Sequence, residues 1–146
     1  MASNANYTIT VFPNAIKACI SGEWSFAIDL AYLTEMSLKM SEMNKAPWAL
    51  YIDMRGLHIP ESNAAIDAQC EQLYTHVNQH GQKVLCDRRN QIAECWIVDE
   101  LEQAKQFEKV VQETGIKLGK FTDTRAGILW LAEFDIRLPS DDVLQT

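Results

Sequence analysis

Polar and apolar residues alternate from the start of the chain. In YTITVF, Ile9 and Val11 are flanked by polar neighbours, Pro13-Asn14 supplies turn chemistry, and AIKACIS sets Ala15, Lys17 and Cys19 opposite Ile16, Ala18 and Ile20. This predicts an antiparallel hairpin. From Ser25 the period lengthens. Phe26, Leu30, Leu33, Met36, Met40 and Met43 recur at intervals of three and four, which predicts a helix over 25–43 with one apolar face. APWALYID, bounded by Pro47 and Gly56, is densely apolar and too short for a stable helix, and reads as an internal strand covered on both faces. Pro60 and Glu61 suit a first helical turn, and Ile66, Cys70, Leu73 and Val77 continue as an apolar stripe ending before Gly81. KVLC, just beyond, fits an edge strand or a loop. IAECWIV (92–98) is a second buried strand. Asp99 and Glu102 have the spacing of a capping box, opening a helix with Leu101, Ala104, Phe107 and Val111 on one face and Gly115 as its stop. IKLGKF reads as a strand, and TDTRAGILWLAEF as a closing helix with Asp123 at its N-cap and Ile128, Leu131 and Phe134 facing inward. The acidic tail DIRLPSDDVLQT is expected to be only partly ordered.

Alternation of this kind predicts an α/β fold: a mostly parallel central sheet with right-handed crossovers, an N-terminal antiparallel hairpin and about four helices. In open sheets of this class, ligands gather at the carboxyl ends of the parallel strands. Those ends carry Asp53, Asp99 and Asp123. The stretch DMRGLHIPES is then a strand-to-helix loop at that rim, with Gly56 permitting its turn and Pro60 starting the next helix.

Composition narrows the class further. A chain of 146 residues is the size of one domain, able to bury about 70% of its unfolded surface, and a single domain with a core over about 7–134 and a tail over 135–146 is expected. The first residues lack a basic and apolar leader pattern, and no apolar run reaches the ~20 residues of a membrane span, so a cytoplasmic location is expected. The four cysteines form no C-x-x-C pair, which argues against zinc and redox dithiol chemistry and for idle thiols. A net charge of −7 repels a phosphate backbone and argues against nucleic acid. The local exception, Lys83, Arg88 and Arg89, reads as a solvated loop or an anion contact.

The ID-x-R-G strand end, the helix entered at PESNAA and the ending KFTDTRAGILWL together resemble the STAS domain of anti-sigma factor antagonists, in its bacterial SpoIIAA-like branch, over about residues 7–134. The resemblance implies a STAS-like fold and a regulatory domain that docks a protein partner. In phosphorylated members a hydroxyl at the helix start after the third strand is the switch. The matching stretch here is Pro60-Glu61-Ser62-Asn63, so the phosphoacceptor position falls on Ser62 or, with a shift of one residue, on Asn63, where no hydroxyl exists. The glycine that follows in the family pattern is Ala64. A phosphate on Ser62 would gain from a helix N-terminus and be opposed by Glu61.

The expected function is therefore a non-catalytic regulatory or interaction domain, docking a protein through Asp53, Arg55, His58, Glu61, Ser62 and Asn63, with neither cofactor nor metal. The alternative is a carrier or sensor of a small apolar or amphipathic ligand, held between helix 25–43 and the sheet beside Met36, Met40 and Met43, residues that also suit plain core packing. The aromatic and methionine content is compatible with a homodimer. Enzymatic readings are weaker. Asp53, Asp99 and Asp123 could hold a hard cation, but two of them suffice as helix caps. His58 with Asp53 could form a base, and Cys86 or Cys95 a nucleophile, only if brought within hydrogen-bond reach. His76 and His80 share a helix face without a third ligand, and none of the common hydrolase, metalloprotease or P-loop signatures occurs.

Overall fold

The computed structural model describes residues 5–43, 46–58, 90–105, 108–112 and 115–138. Strands β1 (Asn6–Phe12) and β2 (Ala15–Glu23) form the expected antiparallel hairpin around Pro13-Asn14. Helix α1 (Phe26–Ser41) follows, its N-terminus capped by the Ser25 hydroxyl, which accepts from the Ile28 amide. Strand β3 (Trp48–Asp53) lies between β2 and β5 (Gln91–Ile97), parallel to both. Strand β6 (Lys117–Phe121) adds in parallel outside β5. The order is β1-β2-β3-β5-β6, with the two-residue β4 (Leu57–His58) joining the far end of β2. Among the described residues the sheet is thus mixed, six-stranded, and antiparallel only at β1.

Side chains alternate across it with the two-residue period of extended backbone. Leu50 and Ile52 of β3 join Ile16, Ala18 and Ile20 in a core beneath α1, where Tyr32, Met36, Met40 and Met43 are buried. The five-residue helix α2 (Glu108–Gln112) contributes Val111 to the same side. Ala49 and Tyr51 face the opposite way, into a second core with Cys95 and Ile97, closed by helix α3 (Thr124–Ala132) through Leu131 and Ile128 and by Phe134, Ile136 and Leu138 beyond it. Asp123 caps α3 as expected, accepting from the Ala126 amide at 3.0 Å.

Two expectations need correction. The helix predicted from Asp99 does not start there. Residues 99–105 form turns, Ala104 adopts the left-handed region (φ 60), and among the described residues before Gly115 (φ 81) regular helix appears over Glu108–Gln112. The competing interactions are specific. The Asp99 carboxylate leaves its own segment to accept from the Gly56 amide, its amide donates to the Gln103 side chain, and Glu102 faces Lys105 instead of closing a capping box. Leu101, expected inside, is 60% exposed. Of the four predicted helices, α1 and α3 are full helices and α2 is the remnant of the third. The helix over 60–80 and the KVLC segment lie outside the described residues.

The strand order also bears on where a site can form. Ligand crevices in open sheets arise where strand order reverses. Here the parallel strands β2, β3, β5 and β6 succeed one another in a single direction, with α1 and α2 on the same face. No reversal occurs among the described strands. What distinguishes the carboxyl rim is the loop after β3.

Candidate functional site at the carboxyl rim

The chain leaves β3 at Asp53 and rejoins the sheet four residues later as β4. Every amide of this excursion is engaged. Met54 N donates to Ile97 O (2.8 Å), Arg55 N to the Asp53 side chain (3.1 Å), Gly56 N to Asp99 Oδ2 (2.7 Å) and Leu57 N to Met54 O (3.2 Å). Two further bonds, Gly22 N to Gly56 O and Trp24 N to His58 O, hold the returning strand to β2. Gln103 braces the turn from outside, its amide nitrogen donating to Met54 O at 2.9 Å. Gly56 has φ +79, a conformation that a side chain makes costly, so the glycine is required by the turn itself.

Asp53 and Arg55 face each other as a fork. Arg55 Nε donates to Asp53 Oδ1 (3.0 Å) and Nη2 to Oδ2 (2.7 Å), while Nη2 also donates to Thr124 Oγ1 at 2.9 Å. Hydrogen bonding to Asp53 raises the Arg55 pKa above its ordinary value. Thr124 is 2% exposed at the first turn of α3, on the side of the sheet where burial raises the Tyr51 pKa. One threonine therefore joins the rim loop to the closing helix. Sequence reading passed it over, since a threonine beside an N-cap aspartate gives no signal of its own.

The predicted residues are distributed as follows. Asp53 and Arg55 are brought together. His58 is directed outward on β4, its side chain 66% exposed and 3.7 Å from Glu23, so the imidazole is paired with Glu23 and the Asp53 carboxylate with Arg55. Glu61, Ser62 and Asn63 lie outside the described residues, as do Cys70, Cys86, His76, His80, Lys83, Arg88 and Arg89. The three rim aspartates act separately: Asp53 on Arg55, Asp99 on the Gly56 amide, Asp123 on its own helix. Among the described residues no three histidine, cysteine or acidic side chains cluster as metal ligands. Cys95, weighed as a nucleophile, has its pKa pushed by burial from 9.0 to about 12, so at neutral pH it is a thiol within the core. Met36, Met40 and Met43 are core residues under α1, packed with Trp48, Leu50 and Trp96.

No helix among the described residues is long and apolar enough to cross a membrane. Comparison with protein-family models, with curated proteins and with solved structures finds no match.

Proposed function

We propose that the protein is a non-catalytic regulatory or interaction domain of STAS-like type, docking a protein partner through the loop after its central strand and the helix that follows, Asp53 to Asn63. The observation that carries this reading is the immobilisation of Asp53–His58. The amides of Met54 through Leu57 are all bonded, the Asp53–Arg55 pair is bidentate, and β2, the turns over 99–105 and α3 brace the loop. Yet the loop ends by presenting an exposed His58 beside Glu23. A surface held in one conformation before contact loses little entropy on binding, which is what a docking edge needs. The Asp53 carboxylate, with both oxygens on Arg55, is suited to holding this shape more than to moving protons. The Asp-x-Arg-Gly strand end and the Asp123-capped last helix, which carry the STAS resemblance, converge at Thr124, and that supports the same reading.

A photo-crosslinking residue at position 58, compared with one at the exposed Leu129 on α3, tests it in cells. A discrete cross-linked partner from position 58 alone, lost when Glu23→Lys is added, is the expected result. Equal patterns from both positions would refute docking at the rim.

A further inference from the structure

At the other end of the same strands the sheet contains a buried polar group that the rim does not use. Trp48 opens β3 and Gln91 opens β5, and the two are register partners. The next pairing is Ala49 with Ala93, so Ile92 is an extra residue in β5. Ile92 and Ala93 both pack into the second core, which shows the consequence of the bulge: Gln91 is turned onto the face of Glu94, beneath α1 and α2. Burying a glutamine and a glutamate there demands partners.

Most of the demand is met. Gln91 Nε2 donates to Glu94 Oε1 (3.2 Å) and to Ala93 O (3.4 Å), and Trp96 Nε1 donates to Glu94 Oε2 at 2.8 Å. These bonds also settle which way the Gln91 amide points, because the reverse orientation would set its oxygen against a carboxylate and a carbonyl. Among the described residues its Oε1 is left without a hydrogen-bond partner at a residue 6% exposed, and so is Trp48 Nε1 at a residue with no exposure. One is an acceptor lacking a donor, the other a donor lacking an acceptor.

We infer that Trp48 and Gln91 form an internal site for a single neutral hydroxyl, which accepts from Trp48 Nε1 and donates to Gln91 Oε1. The chemistry excludes the simpler guests. A carboxylate or phosphate could satisfy Trp48 but has no proton for Gln91, and it would lie near the Glu94 carboxyl. An ammonium could satisfy Gln91 but cannot accept from an indole. A hydroxyl does both, whether it belongs to a water molecule or to the head of a small amphipathic alcohol. The site is independent of the rim: β3 separates Trp48 from Asp53 by about 17 Å at ~3.3 Å per residue.

The test uses the full chain, purified without added ligand. Trp48 Hε1 is assigned from its disappearance in Trp48→Phe, and its cross-relaxation with water is measured beside that of Trp96 Hε1, whose acceptor is Glu94. A long-lived water cross-peak at Trp48 together with the bare polypeptide mass in native mass spectrometry identifies the hydroxyl as water. A retained extra mass without that cross-peak identifies it as an organic alcohol. Either signal is expected to disappear in Gln91→Met, which keeps the bulk and removes the acceptor, while the Trp96 signal reports an intact fold. A wild-type chain with neither signal overturns the proposal, and so does a guest retained unchanged in a folded Gln91→Met; should that variant not fold, the wild-type measurements decide alone.

Discussion

Arg55 shows how one side chain can define a surface. Its fork reaches Asp53 and Thr124 together, so replacing it by alanine leaves a largely buried carboxylate and a buried hydroxyl each short of a donor. Hydrogen bonds to charged groups contribute about 1.5–3 kcal/mol, and partial exposure of the arginine puts this one near the lower figure. Arg55→Ala should therefore destabilise by about 2 kcal/mol in urea unfolding, and Arg55→Lys by about half that, because an ammonium keeps the charge without the bidentate geometry. Thr124→Val should cost about 1–2 kcal/mol, since the Arg55 guanidinium loses its acceptor there. Combined with Arg55→Lys it should be less than additive, and a double-mutant cycle measures the coupling. A pH effect belongs to this scale too. Cys95 ionises at 9.0 when exposed and at about 12 in the fold, so above pH 9 the unfolded chain releases a proton that the native one retains. Stability should be constant in this respect below pH 9.0 and fall progressively towards pH 12, with Tyr51, also raised by burial, adding to the loss above pH 10.0. Each group contributes a slope of at most ~1.4 kcal/mol per pH unit. Urea midpoints between pH 7 and 11 give the check, and Cys95→Ala should flatten the earlier part of the fall.

Among the elements, α3 depends on how closely it approaches β5. A Cβ at Gly127 would lie 2.6 Å from Ile97 Cδ1 and 2.8 Å from Cys95 Sγ, two side chains with no exposure and no room to yield. Alanine gains up to about 1 kcal/mol in helix propensity, while overpacking costs about 1–3 kcal/mol. Gly127→Ala should thus be destabilising on balance, by about 1 kcal/mol, and should lift α3 off Tyr51, readable as faster exchange of the Leu131 amide. Nothing in TRAGILWL distinguishes this close-contact glycine from one tolerated by chance. The elements that could be read correctly were those whose signal is periodic. The β1–β2 alternation, the α1 stripe and the apolar runs of β3 and β5 each repeat one physical condition over several residues, and the Asp123 cap is a local hydrogen bond that its own helix completes. The elements misread were those decided by a distant partner. Asp99 had every local reason to cap a helix, and lost that role to an amide 43 residues away on the rim loop. The return of β4 to β2, the bulge that turns Gln91, and the placement of Thr124 likewise depend on pairings between segments far apart in the chain. Of the expected site, the position of Asp53 and Arg55 followed from the strand end, but their partnership with Thr124 did not.

For the molecule as a whole, two covered faces and the margins of the described strands set a gradient of protection. Strands β3 and β5 have neighbours on both sides and cores on both faces, whereas β1 carries alternating exposed residues at one margin and β6 stands at the other. In native-state hydrogen exchange the amides of Leu50–Ile52 and Cys95–Ile97 should outlast those of Thr8–Val11 by several orders of magnitude, approaching the global unfolding limit. Equal rates across the sheet would contradict the central place of β3.

The unidirectional strand order has a further meaning for a chain made from its N-terminus. Apart from the two-residue β4, which returns to β2, each described parallel strand is laid down against the one before it, and none of them has to be inserted between two already joined, so β1, β2, β3 and β5 can zip together while the remainder is still emerging. The lid on Ala49, Tyr51 and Cys95 arrives last, however, because α3 is the final helix described. A nascent or clipped polypeptide that stops short of Asp123 would have its sheet assembled and one side of it still greasy, a species that chaperones should recognise and that should precipitate without them.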